Sequence, residues 1–444
     1  MVEVKAFRGV RYDWESMGED EASRVVAPPY DVIDETMLGE LYRRHPQNVV
    51  RLDLNRRQAS DDGENNRYTR ARRYMFDWLA QGVMILEPEP AIYVHVQEFE
   101  DEAGTVYRRQ GFMALVRLAE YEERVVLPHE RTLKGPKVDR LELMKATDAN
   151  LSQIFFLYDD EQGEVDGPLY GATEGQEPAL DIRTEDGIRH QLWAVRDAKV
   201  QQAVAAGLKE RPLLIADGHH RYETALAYRD FRREVAEEGD ADAPYEFVMG
   251  FLVNMHDPGL QVFPTHRVVH SVEGFEGAKL RAQLENAGLY RVEELGWELL
   301  DDLDGLREQL EAAGREYPSF VVAIEADKAL LLVQYVGGVD APVFDEETPE
   351  EVRRLDVAVL HEALFDRMLG IDRAAQEAKS NLSYVKGWAE ARAALGEPGH
   401  QMVVFMNATP VEQVNRVCLS GGKMPQKSTF FYPKVLSGLV INLL

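Results

Sequence analysis

The feature that most constrains this chain is a short stretch near its middle. The apolar run Pro212 to Ala216 reads as a strand, ends in Asp217-Gly218-His219-His220-Arg221 and opens a helix whose pattern runs to about Glu237. A helix start carries unpaired backbone N–H groups and the positive end of the helix dipole, so a glycine turn leading into one is suited to an anion. Gly218 lets a phosphate approach the backbone, while His219, His220 and Arg221 add donors and charge. The leading carboxylate, Asp217, suits Mg²⁺ or a substrate hydroxyl. An ordinary turn with solvated histidines would use the same residues, but four consecutive polar functional residues around one glycine favour the anion site.

Around this stretch the chain alternates strand-like and helix-like patterns throughout its 444 residues, with no repeat of fixed period. That interleaving predicts an α/β or α+β class, and the length predicts several domains. Residues 1–105 form an N-terminal α/β unit, with a strand at Val4 to Val10, the loop Ala27-Pro28-Pro29-Tyr30-Asp31-Val32, a strand at Val49 to Leu54 and a long helix from Glu64 to Leu79. Residues 106–271 form a phosphate-binding core interrupted by an acidic, Gly-rich insertion from Asp159 to Gln176, and residues 272–444 a C-terminal α/β region. Within the last region the segment Lys423 to Lys434 is basic in an acidic protein, which places Lys427 and Lys434 near an anion.

Composition removes several function classes. The net charge is -28, from 50 Lys and Arg against 78 Asp and Glu, so the surface repels a phosphate backbone and nucleic acid is not an expected partner. Cys418 is the only cysteine, so neither a disulfide within the chain nor a cysteine metal cluster is available. The start lacks the charged and apolar regions of a signal peptide, and no run reaches the roughly 18 apolar residues that span a bilayer. A cytoplasmic location with no membrane partner is expected.

Three familiar motifs fail on inspection. Gly421-Gly422-Lys423 resembles the end of a P-loop, but Val417 and Met424 stand where glycine and Ser or Thr are required. Val359-Leu360-His361-Glu362-Ala363-Leu364-Phe365 has the His-Glu of a zinc helix but Phe365 in place of the second histidine. No G-x-G-x-x-G follows a strand, which removes the dinucleotide fingerprint. Pro128-His129-Glu130-Arg131-Thr132 lies at a loop after a strand, where a carboxylate can serve as a general base or simply be solvated.

Ile215-Ala216-Asp217-Gly218-His219-His220-Arg221-Tyr222-Glu223-Thr224-Ala225 resembles the domain-of-unknown-function family 1015. The resemblance extends to Ala27–Val32, Pro128–Thr132, Thr265-His266-Arg267 and the segment Met424 to Lys434. That family is similar, more distantly, to free-serine kinases of the ParB and sulfiredoxin superfamily, in which a D-G-x-H-R box at a helix start binds nucleotide phosphates. The resemblance implies a ParB/sulfiredoxin-like nucleotide-binding core, Mg²⁺, and ATP or ADP as phosphoryl donor or acceptor. It gives Glu130, Asp217 and His220 as catalytic groups, with Asp31 as the alternative base. Gly218, His219, His220, Arg221, Lys427 and Lys434 would bind nucleotide, and Asp217 the metal. The expected reaction moves a phosphoryl group between nucleotide and the hydroxyl of free serine, in either direction. A non-enzymatic ParB-like nucleotide-binding regulator and a phosphoserine phosphatase are the alternatives.

Overall fold

Two long strands set the fold. β2 (Ile92–Glu100) and β3 (Val106–Arg117) form an antiparallel hairpin in which Tyr93 faces Met113 and Glu98 faces Arg108. Its turn is fixed by Asp101, whose carboxylate accepts the amides of Ala103 and Thr105, and by Gly104 at φ 82°. The computed structural model describes residues 1–130, 135–236 and 240–444, without the side chains of Gly135 and Pro136. The chain divides into two compact units, one of Met1–Pro128, Thr132–Gln261 and Pro433–Leu444, the other of His129–Arg131 and Val262–Tyr432.

Among the described residues the first unit holds a nine-stranded sheet. Its remaining strands are β1 (Val4–Lys5), β4 (Val126–Pro128), β5 (Ile154–Tyr158), β6 (Leu180–Arg183), β7 (Arg189–Val195), β8 (Leu213–Asp217) and β9 (Phe247–Asn254). The order is β4-β8-β5-β9-β3-β2-β7-β6, with β1 also on β3. Pairing is antiparallel except for β8 with β4 and β9 with β5. Period-2 alternation sends Val94, Val96, Phe112, Ala114, Ile154 and Leu252 to one face, where α1 (Ala198–Leu208) and α2 (His219–Val235) add Val204, Leu208, Tyr222 and Ala225. The alternate positions His95, Gln97 and Arg109 face the other side and are buried there as well.

That second face is closed by the chain termini. Val10 bridges Ile441, Ala27 bridges Ser437, and Asn442 pairs with Asn150, so the last twelve residues are woven into the first unit. Two sequence expectations change here. Val49 to Leu54 forms a short helix (Val50–Asp53) in place of a strand: Asn48 accepts the Val50 amide and donates to the Arg24 and Val26 carbonyls, and an apolar run this short suits a buried helix as well as a strand. The Asp159 to Gln176 stretch contains the helix Asp166–Gly171, and its Val165 and Leu169 are fully buried in the main core.

The second unit is a six-stranded antiparallel sheet of β10 (His266–His270), β11 (Tyr290–Leu295), β12 (Ser319–Ile324), β13 (Ala329–Tyr335), β14 (Leu382–Val385) and β15 (His400–Met406), in the order β11-β13-β12-β15-β10-β14. Val321, Leu330, Val403 and Phe405 pack against Leu306 and Leu310 of α3 (Leu303–Gly314) and Trp388 and Ala391 of α4 (Trp388–Ala394). The fold is thus mixed α/β with several sheets, and no helix among the described residues is long and apolar enough to cross a membrane.

Asp356 of this unit accepts the Ser319 amide at 3.2 Å and the Asn407 side chain at 3.0 Å. Burial pushes its carboxyl up to about 7, against those hydrogen bonds. A carboxyl whose pKa rises on folding adds stability below its unfolded value, and that stability is lost as pH climbs through the folded one. The second unit should therefore weaken between about pH 4 and about pH 7, and Asp356→Asn should flatten the dependence. Urea midpoints measured across that range check this.

Candidate active site

β8 lies between β4 and β5, and its register with β5 breaks between Ile215 and Asp217. Such an irregularity re-aims the side chain that follows it. Gly218 then turns the chain into α2 at φ 92°, a conformation that glycine adopts without strain. A Cβ at Gly218 would also lie 2.9 Å from Arg221 Nε, so glycine leaves room for the arginine to fold back. Arg221 donates to the Gln153 carbonyl and, at 3.1 Å, to Asp217 Oδ2. Lys434, from the C-terminal segment, places its Nζ 3.2 Å from Asp217 Oδ1.

One carboxylate therefore bridges two cations. Burial alone would raise the Asp217 carboxyl, but Lys434 and Arg221, with a smaller contribution from His219, hold it well below the usual carboxylate range. Burial works equally against the Arg221 guanidinium, and Asp217, Asp31, Tyr30 and Asp53 keep it charged. Arg140 continues this layer: it donates to the Asp53 carbonyl at 2.7 Å and lies 4.2 Å over the Tyr30 ring. Asp53, Arg140, Arg221 and Thr224 line a cavity of about 40 Å³.

Lys434 is placed through its backbone. Arg109, wholly buried, donates to the Pro433 carbonyl at 2.6 Å and to Gln97 Oε1, and Gln97 Nε2 donates to the Lys434 carbonyl at 3.2 Å. The guanidinium lies over the Phe155 and Phe251 rings, at 4.9 and 5.7 Å. Burial pulls its pKa down to about 9, opposed by Asp257 and Asp217. Beside it His95 Nε2 and His190 Nδ1 stand 3.1 Å apart, and burial drives both rings toward the neutral form, His190 down to about 3. Asp257 is pushed the other way by burial, up to about 6.

The expected site residues fall into two groups, one in each unit. Asp217, Gly218, His219, His220, Arg221 and Lys434 belong to the first, with His219 buried and the His220 carbonyl accepting the Thr224 hydroxyl at 2.7 Å. Asp31 is on the same side, acting on Arg221. Glu130 and Lys427 belong to the second unit, where both address Arg267: the Lys427 carbonyl accepts its Nη2 at 3.0 Å and the Glu130 charge supports its protonation. Glu130 also sits 3.7 Å from His129 Nε2, which meets the Thr429 hydroxyl at 2.8 Å. Arg131 and Thr132 of that motif, and Glu237 at the expected end of α2, lie outside the described residues.

Sequence reasoning passed over Arg109, Gln97, Gln153, Asp53 and Arg140. The available signal was the polar run Arg108-Arg109-Gln110 leading into the apolar Phe112 to Val116 within one strand. For Mg²⁺ the donor set does not fit: both Asp217 oxygens already face cations, and among the described residues no group of three or more His, Cys, Asp or Glu is arranged to hold a metal. What the arrangement offers instead is a helix N-terminus beside two fixed cations, which suits an anion with several oxygens.

Fold and site define a mixed α/β protein in which a strand, a glycine turn and a helix start stand beside two cations. The chain belongs to the family described as a protein of unknown function, DUF1015, whose profile matches residues 4–358. Among solved structures it is similar to a free serine kinase in complex with AMP, at 14% identity and TM-score 0.33, covering 70% of this chain and 86% of that one. A conserved hypothetical protein from Pyrococcus furiosus matches at 16% identity and TM-score 0.33, over 70% and 90% of the two chains. C-terminally truncated SbnI from Staphylococcus aureus matches at 12% identity and TM-score 0.32, over 74% and 86%. No curated protein sequence matches the chain.

The lowered Asp217 pKa stabilises the fold above the ordinary carboxylate range, and that contribution is lost as pH falls through the folded value. Lys434→Met should raise the Asp217 pKa and lessen the stability lost between about pH 5 and about pH 2. Carboxyl NMR titration and acid-limb urea midpoints would show it, and identical acid limbs in both proteins would contradict the assignment.

Proposed function

We propose that this protein is a phosphotransferase that moves a phosphoryl group between a nucleotide, ATP or ADP, and the hydroxyl of free serine, on a ParB/sulfiredoxin-like core. The observation that carries the reading is the glycine-opened start of α2 with Arg221 and Lys434 both anchored on Asp217. Phosphoryl transfer asks a protein for positioning and charge neutralisation more than for covalent chemistry, and those are what this arrangement supplies. Backbone amides of the helix start receive phosphate oxygens. The two cations offset the charge that builds on the transferred group, and Asp217 holds them apart and in place.

In the kinase direction a bond forms from the serine oxygen to phosphorus as the bond to the leaving nucleotide oxygen breaks, and a base takes the hydroxyl proton. Glu130 is assigned that role on residue correspondence with the resembled kinases. In reverse, a terminal phosphate oxygen of ADP attacks phosphoserine and serine leaves with the proton. His220 and Lys427 complete the proposed nucleotide and catalytic set.

The test is incubation of purified protein with Mg²⁺, serine or phosphoserine, and ATP or ADP, with all products resolved. Nucleotide-dependent interconversion of serine and phosphoserine is expected. Phosphate release from phosphoserine without ADP would make the protein a phosphatase, and nucleotide binding with no turnover would make it a regulator. Glu130→Gln should lower turnover by about 10²- to 10⁴-fold with nucleotide affinity nearly unchanged. An unaltered rate would remove Glu130 from the mechanism.

A further inference from the structure

Two motifs set aside in the sequence, His361-Glu362 and Gly421-Gly422-Lys423, line one cavity of the second unit, of about 390 Å³. Drug-sized ligands occupy cavities of this scale. Part of its wall is a π-helical turn, Leu360–Asp366, a distortion that recurs at functional sites. His361 contributes to the lining and is 3% exposed. Gln376 fixes its tautomer: the Gln376 amide NH₂ donates to the carbonyls of His361 and Ile371, so its oxygen must accept from His361 Nδ1, at 2.8 Å. Nδ1 therefore carries the proton, and Nε2 is a bare acceptor with no hydrogen-bond partner among the described residues. Such a buried orphan is costly and calls for a donor.

The charge around the cavity states what kind of donor. Among the lining residues Asp345, Glu347, Glu362 and Glu377 outnumber Arg373 and Lys423, and Arg373 meets Glu362 only at 3.5 Å. Arg267, which does not line the cavity, also acts on His361 and, after burial, helps to keep its ring neutral. A phosphate or nucleotide would be repelled by this excess of carboxylates, whereas an ammonium group brings both positive charge and N–H donors.

We propose that this cavity is a binding site for a small primary ammonium compound, separate from the anion site of the first unit. Two sources share that chemistry, a free amino acid, whose carboxylate Arg373 or Lys423 could receive, and a polyamine. The inference does not depend on the phosphotransfer reading, which fails or stands on products alone.

Calorimetric titration of the full chain with serine, with 1,4-diaminobutane and with inorganic phosphate tests it. At least one ammonium compound should bind, and the tighter of the two names the source. Glu362→Gln combined with Glu377→Gln, both lining the cavity, should weaken that binding about tenfold or more, at an unchanged thermal midpoint. His361→Phe, which removes the acceptor, should weaken it too. Failure of both ammonium compounds to bind in the millimolar range, displacement of the amine by phosphate, or an affinity untouched by the double substitution would each overturn the proposal.

Discussion

The first unit is organised around one ionic contact, the Asp217 carboxylate held between Arg221 and Lys434. It joins the end of a central strand, the first turn of α2 and a segment more than two hundred residues further along the chain. None of the three could hold this geometry alone, because a half-buried carboxylate with a single partner would be poorly compensated. With both cations present it remains charged.

Much of the surrounding structure serves that contact. Arg109 is a fully buried guanidinium, an expensive feature that a structural role alone would replace with an apolar side chain. Here it fixes the Pro433 carbonyl and orients Gln97, which fixes the Lys434 carbonyl, so the lysine is delivered by its backbone. The neutral His95 and His190 rings fill the rest of this face without adding charge near Arg109. Opposite them a hydrophobic core holds the sheet to α1 and α2.

What the sequence disclosed and what it concealed divide along local and non-local lines. The strand, turn and helix from Leu213 to Val235 was legible because its signals lie within a few residues: an apolar run, Asp-Gly, then helical spacing. The pairing of β2 with β3 was not, since the boundary expected at residue 105 falls within their turn. His95, Gln97 and Arg109 were not, since polar residues alternating with valine in a strand look like a solvated face. Gln97 and Arg109 find their partners in a C-terminal segment more than three hundred residues away, and no window of sequence contains that fact. The basic character of residues 423–434 pointed to an anion, yet the partner found for Lys434 is a carboxylate of this chain. At Val49 to Leu54 the period was too short to separate helix from strand, and at Asp159 to Gln176 acidic composition masked Val165 and Leu169, which the core absorbs.

The central claim is that the start of α2 receives phosphate oxygens. A crystal structure of the protein grown with ADP tests it most directly. The account predicts the terminal phosphate against the amides of Gly218 to Arg221, within hydrogen-bond reach of Arg221 and Lys434. Phosphates bound elsewhere, with those amides occupied by protein groups, would contradict it.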